Sequence, residues 1–343
     1  MNKKHVLFLT PFFYPRIGGV EKHVYEISIQ LVKKGFSVSV VTEKHDKNLK
    51  AYQKIKGVKV YRIPKYLIGK SKKFRIWFWL FKHLYLIRSS YVIHCHDVFF
   101  WYFPFRFLFP QKKVYTTFHG YESYPISRKA IIIRKLSEKL SYGNICIGRF
   151  IEKWYGTKAD YVLYGGVNKL KIKNEKLKVQ NNYSAVFIGR LDEQTGIKTY
   201  VDGVEQIKKK IPNFKLTVIG DGKFKTSIKK RTNVLGWKNN PEKYFKSHRF
   251  AFVSRYLSIL EAMNAKRLVF AVNDNLIKKD YLTMTPFSKN IEIISSAQEL
   301  AEKVLFYIQN QSVEKKLIER SCAWTNRQTW EHVADIYIRL WNK

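Results

Sequence analysis

An arginine stands directly after a short apolar run and a glycine in FIGRLDEQTGIKTY, residues 187–200, and a tight polar loop and a helix-like stretch follow it. A guanidinium is a planar fork of donors that matches a carboxylate or a diphosphate bidentately. From position alone Arg190 has two readings: it grips an anionic ligand, or it pairs with Asp192 or Glu193 at the surface. Gly18 and Gly19 open a helix after a strand, where unobstructed backbone N–H groups with the helix dipole behind them suit an anion. Turns use such pairs constantly, so the pair alone is weak. Glu261 sits early in the helix-like LSILEAM, close to its start. A carboxylate there accepts hydrogen bonds from ribose hydroxyls, or simply complements the helix dipole at about 0.3–1 kcal/mol. HCHD, residues 94–97, offers His94, Cys95, His96 and Asp97. Adjacent strand residues point to opposite faces, so His94 and His96 share one side and two ligands make no site. No metal is expected, and the stretch reads as a strand end.

These residues need elements to hold them. HVLFLT is an apolar, β-rich run, and after a loop with Pro11, Pro15, Gly18 and Gly19 the positions Val20, Val24, Ile27 and Leu31 recur at helical spacing. Gly35 ends that helix and SVSVVT is a second strand, so the chain opens as strand, helix, strand, the start of a doubly wound parallel sheet. The alternation begins again at SAVFIGRL and continues through FKLTVIG, NVLGW, FAFVS, LSILEAMNAK, LVFAV and IEIIS. Two α/β domains are therefore expected, 1–165 and 166–325, joined near Gly165–Gly166 and the polar NKLKIKNEKLKVQNN, with a final helix over 326–343. In such domains ligands lie outside the carboxyl ends of the strands, which is where Arg190 falls.

A chain of 343 residues with 45% hydrophobic and 16% aromatic residues folds, because that much apolar surface offsets the entropy of ordering. Cys95, Cys146 and Cys322 are an odd, unpaired set that suits a reducing compartment, and cytoplasmic placement is expected. The apolar run at the start is shorter than a signal-peptide core, and no run approaches the ~20 residues of a spanning helix. A net charge of +38 favours phosphate-rich partners: anionic lipid, nucleic acid or phosphorylated substrates. No helix-turn-helix, zinc module or RNP-type aromatic strand is present, so no specific nucleic acid is expected. Within a basic aromatic region at about 70–113, KSKKFRIWFWLFKHLYLIR plotted as a helix puts Phe74, Trp77, Phe78, Phe81 and Tyr85 on one stripe. Either this stripe is core, with Trp79, Lys72, Lys73, Arg75 and Lys82 facing outward, or the helix lies on anionic lipid. The second reading makes Lys72, Lys73, Arg75, Trp77, Trp79 and Lys82 contacts to acceptor or membrane, peripheral at the inner face of the cell membrane.

PFFYPRIGGVEKHVYEISIQLVKKGFSVSVVT, TTFHG at 116–120, LYGGVN at 163–168, FIGRLDEQTGI at 187–197, VIGDG at 218–222, LGW at 235–237 and LEAM at 260–263 occur in a fixed order over nearly the whole chain. Taken together they resemble glycosyltransferase family 4, the group 1 retaining enzymes of the GT-B fold. The resemblance implies two Rossmann-like domains facing a central cleft, an acceptor on the first, a nucleotide-sugar on the second, and a last helix crossing back to the first. Its site residues would be Arg190 on the donor diphosphate, Glu261 on the ribose, and Gly18 and Gly19 on phosphates or sugar. His119 would lie beside the transferred sugar, and Gly189, Gly236, Ser258 and Ile259 would complete the donor site. The nucleotide-sugar, with uridine or guanosine diphosphate, is a substrate, and neither cofactor nor metal is implied. Family members usually carry a lysine where this chain has Thr195, and a glutamate where it has Val253; Arg255 is a candidate replacement cation. These departures also admit a non-catalytic relative that binds nucleotide-sugar or membrane as a scaffold.

Overall fold

The computed structural model describes residues 3–16, 18–64, 72–168 and 181–343. Ile17, positions 70 and 71 of the basic aromatic region and residues 169–180 of the expected join lie outside the described residues. The chain divides into two compact units, Met1–Tyr164 together with Trp330–Lys343, and Gly165–Thr329. The return to the first unit comes at Trp330 and not at residue 326, because a turn follows the preceding helix before the last one starts.

In the first unit the strands are β1 (His5–Leu9), β2 (Ser37–Glu43), β3 (Tyr52–Ile55), β4 (Val58–Ile63), β5 (Val92–His96), β6 (Val114–His119), β7 (Gly143–Ile147) and β8 (Tyr161–Leu163). Its helices before the crossing are α1 (Gly19–Lys33), α2 (Lys72–Lys82), α3 (Leu84–Ser89), α4 (Phe99–Leu108), α5 (Arg128–Leu140) and α6 (Phe150–Tyr155). The sheet order is β3-β4-β2-β1-β5-β6-β7-β8, parallel except for β3, which pairs antiparallel with β4 at the edge. Val6 to Leu9 are wholly buried, which is why the strand reads as a continuous apolar run and not as an alternation. Val24, Ile27 and Leu31 bury the face of α1, and Gly35 leaves the helix at φ +89°, the left-handed region that favours glycine.

The second unit holds β9 (Asn181–Ile188), β10 (Lys215–Ile219), β11 (Asn233–Gly236), β12 (His248–Phe252), β13 (Leu268–Val272) and β14 (Glu292–Ile294). Its helices are α7 (Ile197–Lys208), α8 (Lys225–Lys229), α9 (Tyr256–Asn264), α10 (Leu276–Thr283), α11 (Ala297–Gln309) and α12 (Gln311–Thr325). The order β11-β10-β9-β12-β13-β14 is all parallel and reverses at β9, so the loops after β9 and β12 open the crevice in which doubly wound sheets bind ligands. The last helix, α13 (Trp330–Trp341), packs on α1 of the first unit and buries Trp330, Tyr337 and Trp341.

Candidate active site

The reversal point of the second sheet collects most of the expected donor residues. Gly189 and Arg190 follow β9, and the backbone there is tied to the loop after β10 by Gly189 N–H to the Ile219 carbonyl (3.1 Å) and Leu191 N–H to the Asp221 carbonyl (2.9 Å). Gly220 has φ +150°, and a Cβ there would come within 1.8 Å of the Gly189 carbonyl oxygen, so only glycine lets the two loops meet. Gly236 closes β11 at φ +69° and its carbonyl accepts from Gly220 N–H at 3.0 Å.

The Arg190 side chain is 65% exposed; its Nε lies 3.3 Å from Asp192 Oδ2 and its Nη2 donates to Gln194 Oε1 at 3.2 Å. The surface pairing with Asp192 read from position is thus the arrangement present, at the mouth of the crevice. Thr195 is buried, and its Oγ1 lies 2.8 Å and 2.9 Å from the carbonyls of Arg190 and Asp192, so it staples the loop. A lysine of another element reaches the same loop. Lys278 of α10 is buried, donates through Nζ to the carbonyls of Gln194 (3.3 Å) and Ser254 (2.5 Å), and lies 4.4 Å over the Tyr281 ring. Burial holds its ammonium well below the ordinary lysine range, Arg255 adds to this, and Asp274 and Asp192 oppose it. Sequence reading missed Lys278 because nothing in NLIKKD says which of two lysines points inward.

Arg255 is the N-cap of α9, and its guanidinium lies 5.2 Å over the same Tyr281 ring. The Tyr256 amide of α9 is taken by the Tyr281 hydroxyl at 2.9 Å, and Val253 is core. Ser258 stands in the first turn of α9, partly exposed, whereas Ile259 is wholly buried with its amide bonded to the Arg255 carbonyl at 2.9 Å. Glu261 is half-buried and lies past the first turn, because the helix begins at Tyr256; the expected first-turn interaction with the dipole is corrected accordingly.

In the first unit Gly18 is the N-cap of α1 in extended conformation, and a Cβ there would come within 2.4 Å of Glu21 Oε2. The carboxylate of Glu21, paired with Arg16 at 3.4 Å, therefore already covers Gly18 at this helix start, while Gly19 faces open space. His119 ends β6. Its amide donates to Asp97 Oδ1 at 2.8 Å and its Nε2 lies 3.0 Å from His96 Nδ1. Burial keeps His119 neutral, well below its ordinary value, with His23, His94 and Arg134 adding to the effect. Asp97 leaves β5 at φ +58°; the protein packed around it pushes its carboxyl up to about 7, although Arg134 pulls it down. Arg134 itself is buried, bonds the Gly120 carbonyl (3.2 Å) and Glu122 Oε1 (2.9 Å), and so fixes the turn after His119.

HCHD is the end of β5, and its first histidine is structural. The indole Nε1 of Trp341 can only donate, so His94 Nδ1 (3.0 Å) accepts, and His94 Nε2 carries the proton it donates to Thr117 Oγ1 (2.8 Å). The chain continues through Tyr337 OH (2.8 Å) to His23 Nε2 (2.9 Å).

The helical stripe departs from the core expectation. Phe74, Phe78, Phe81 and Tyr85 are 53–68% exposed, and the face that α2 buries is Ile76 and Leu80. Trp77 and Trp79 are half-buried: Trp77 Nε1 donates to the Phe100 carbonyl (2.8 Å) and Trp79 stacks on His83. Lys72 pairs with Glu43 at 2.7 Å, whereas Lys73 and Lys82 lie over the rings of Phe100 and Phe78. The surface continues past α2, since α2 packs on α4 and α4 on α5, which expose Phe107, Leu108, Ile132 and Leu136. Among the described residues no helix is long and apolar enough to cross a membrane.

Two family models cover the chain: glycosyltransferase family 4 over residues 17–164 and glycosyl transferases group 1 over residues 168–324. The chain is 30% identical over 95 residues to the phosphatidylinositol N-acetylglucosaminyltransferase GPI3 subunit of Saccharomyces cerevisiae, across 27% of this chain and 21% of that one. It is 29% identical over 98 residues to a phosphatidylinositol N-acetylglucosaminyltransferase subunit of Homo sapiens, across 28% and 20%. The matched segment spans about a fifth of the length of these curated relatives. Among solved structures, sucrose-phosphate synthase from Thermosynechococcus elongatus superposes with a TM-score of 0.76 at 14% identity, over 99% of this chain and 98% of that one. Anabaena HepE in complex with UDP and glucose gives 0.72 at 15%, over 97% and 98%, and TarM gives 0.74 at 12%, over 100% and 99%. At such identities these likenesses establish the fold. With both halves matched in order and the fold shared along its length, the chain belongs to the group 1 glycosyltransferases of the GT-B fold.

Proposed function

We propose that the chain transfers a sugar, with retained anomeric configuration and without a metal ion, from a nucleoside-diphosphate-sugar to a lipid-linked acceptor at a membrane surface. The observation that carries this reading is the exposed Arg190 at the reversal point of the second sheet, in a loop that Lys278 ties to the segment leading into α9. Breaking the sugar–phosphate bond leaves a nucleoside diphosphate that gains negative charge. Cations and helix amides fixed there stabilise that transition state more than the ground state. Arg190 exchanges Asp192 for the diphosphate, Gly189, Gly236 and Ser258 line the nucleotide, and Glu261 accepts from the ribose. Neutral His119, its backbone held by Asp97, hydrogen-bonds a sugar hydroxyl and orients the reacting face. Gly19 offers its backbone to the same group, since Glu21 covers Gly18.

The outer helices of the first unit support this acceptor class. Exposed phenylalanines among Lys73, Arg75 and Lys82 suit anionic lipid, and the yeast and human relatives carry phosphatidylinositol in their names. Peripheral placement on the cytoplasmic face fits both. The test is incubation with labelled uridine and guanosine diphosphate sugars and a lipid extract. Transfer is expected with one donor, and Arg190→Ala should lower kcat by roughly 10²–10³-fold. Donor binding without turnover would mark a scaffold instead.

A further inference from the structure

The second unit carries a cavity of about 830 Å³ at the edge of the sheet away from Arg190. Its walls include Asn182 at the start of β9, Arg249 at the start of β12, Lys266 and Arg267 just before β13, and Glu314 and Lys315 of α12. These are the amino ends of parallel strands, whereas the proposed donor crevice lies at their carboxyl ends. A five-residue strand at about 3.3 Å per residue puts roughly 15 Å between the two.

The two buried arginines of this cavity are not equivalent. Arg249 is satisfied: its Nε and Nη2 contact the Glu314 carboxylate at 2.6–3.2 Å, and Nη2 also reaches the Tyr307 carbonyl at 2.9 Å. That pair neutralises itself. Arg267 is only 6% exposed, yet its Nη2 makes one long bond to the Lys246 carbonyl (3.4 Å) and its Nε has no hydrogen-bond partner among the described residues. A buried guanidinium with an unfilled donor is costly unless something accepts from it. With Arg249 and Glu314 cancelling, Lys266, Arg267 and Lys315 outweigh Glu319 on the walls, so the cavity is cationic.

We propose that this cavity is a second ligand site that binds a small phosphate-bearing molecule, with Arg267 as the buried anchor and Lys315 at the rim. A phosphate accepts from a guanidinium fork and an ammonium at once, and the volume suits a metabolite and not a macromolecule. The proposal is independent of the donor reading.

Titration calorimetry with inorganic phosphate on the full chain tests it, with and without saturating uridine diphosphate to occupy the proposed crevice. One saturable site that persists in uridine diphosphate is expected. Arg267→Gln should weaken it by at least about tenfold, the loss of a charged hydrogen bond. Lys315→Ala, at an exposed position that the fold does not need, should weaken it several-fold, and it decides the matter if the Arg267 variant does not fold. Absence of saturable binding, competition by uridine diphosphate, or binding untouched by Lys315→Ala would overturn the proposal.

Discussion

Arg190 and Lys278 meet at one loop and differ in exposure. Arg190 is the exposed partner of its pair with Asp192, and pairs open to solvent contribute only about 0–1 kcal/mol, so Asp192 holds the guanidinium loosely. Lys278 is enclosed, and its bonds to the carbonyls of Gln194 and Ser254 tie the loop after β9 to the loop after β12. Replacing it with methionine leaves both carbonyls without that donor. Lys278→Met should therefore lower the melting temperature and, by loosening the loop that carries Arg190, weaken uridine diphosphate binding by about tenfold, read by calorimetry. Unchanged affinity would reduce Lys278 to a packing role.

At the scale of elements, α13 is held to the first sheet by a hydrogen-bonded row of indole, imidazole, threonine and tyrosine, and by Trp341, which is wholly buried. Trp341→Ala should destabilise the first unit by about 3–5 kcal/mol in urea unfolding, since it opens a cavity and strands the His94 acceptor. The same row makes stability depend on pH. Burial lowers His23 to about 3, from 6.5, and lowers His94, His96 and His119 well below that ordinary value. Between these limits the unfolded chain binds protons that the fold excludes, so stability is full above pH 6.5 and is lost as pH falls toward 3. Asp97 acts in the opposite sense: raised to about 7 from 3.8, it contributes stability at low pH that fades as pH rises through that window. Four histidines outweigh one carboxyl. The urea midpoint should drop as pH is lowered from 7 toward 4, and His23→Gln should flatten the profile.

At the scale of the molecule, the net charge of +38 and the exposed phenylalanines of α2 are two separate terms in the proposed lipid docking. Both terms should be separable. Vesicles containing phosphatidylserine should bind the protein, and binding should weaken at high salt as screening cuts the ~1 kcal/mol contributed by each basic residue. Phe74→Glu with Phe78→Glu should abolish it at any salt while leaving the fold intact, because both side chains already face outward. Sedimentation with vesicles reads the result, and an unaffected double variant would return the stripe to an ordinary surface.

The order of strands and helices was legible in the chain because parallel strands buried on both faces are continuous apolar runs, and because Gly35 and the helical spacing of Val24, Ile27 and Leu31 punctuate them. The family followed from motifs in a fixed order, and the place of Arg190 followed from its position after a strand. Local pattern could not show that the short β3 pairs antiparallel at the sheet edge, or that α2 turns Ile76 and Leu80 inward and its phenylalanines outward, since both faces of that helix are apolar. Nor could it show Lys278 bonding the loop of Thr195, or the unfilled donor of Arg267, because Lys278 lies 83 positions from Thr195 and Arg267 lies 18 from Arg249. Hydrophobic periodicity is a property of neighbours along the chain, and it determined the elements. Charge compensation and burial are properties of neighbours in space, and only the packed sheets decided them.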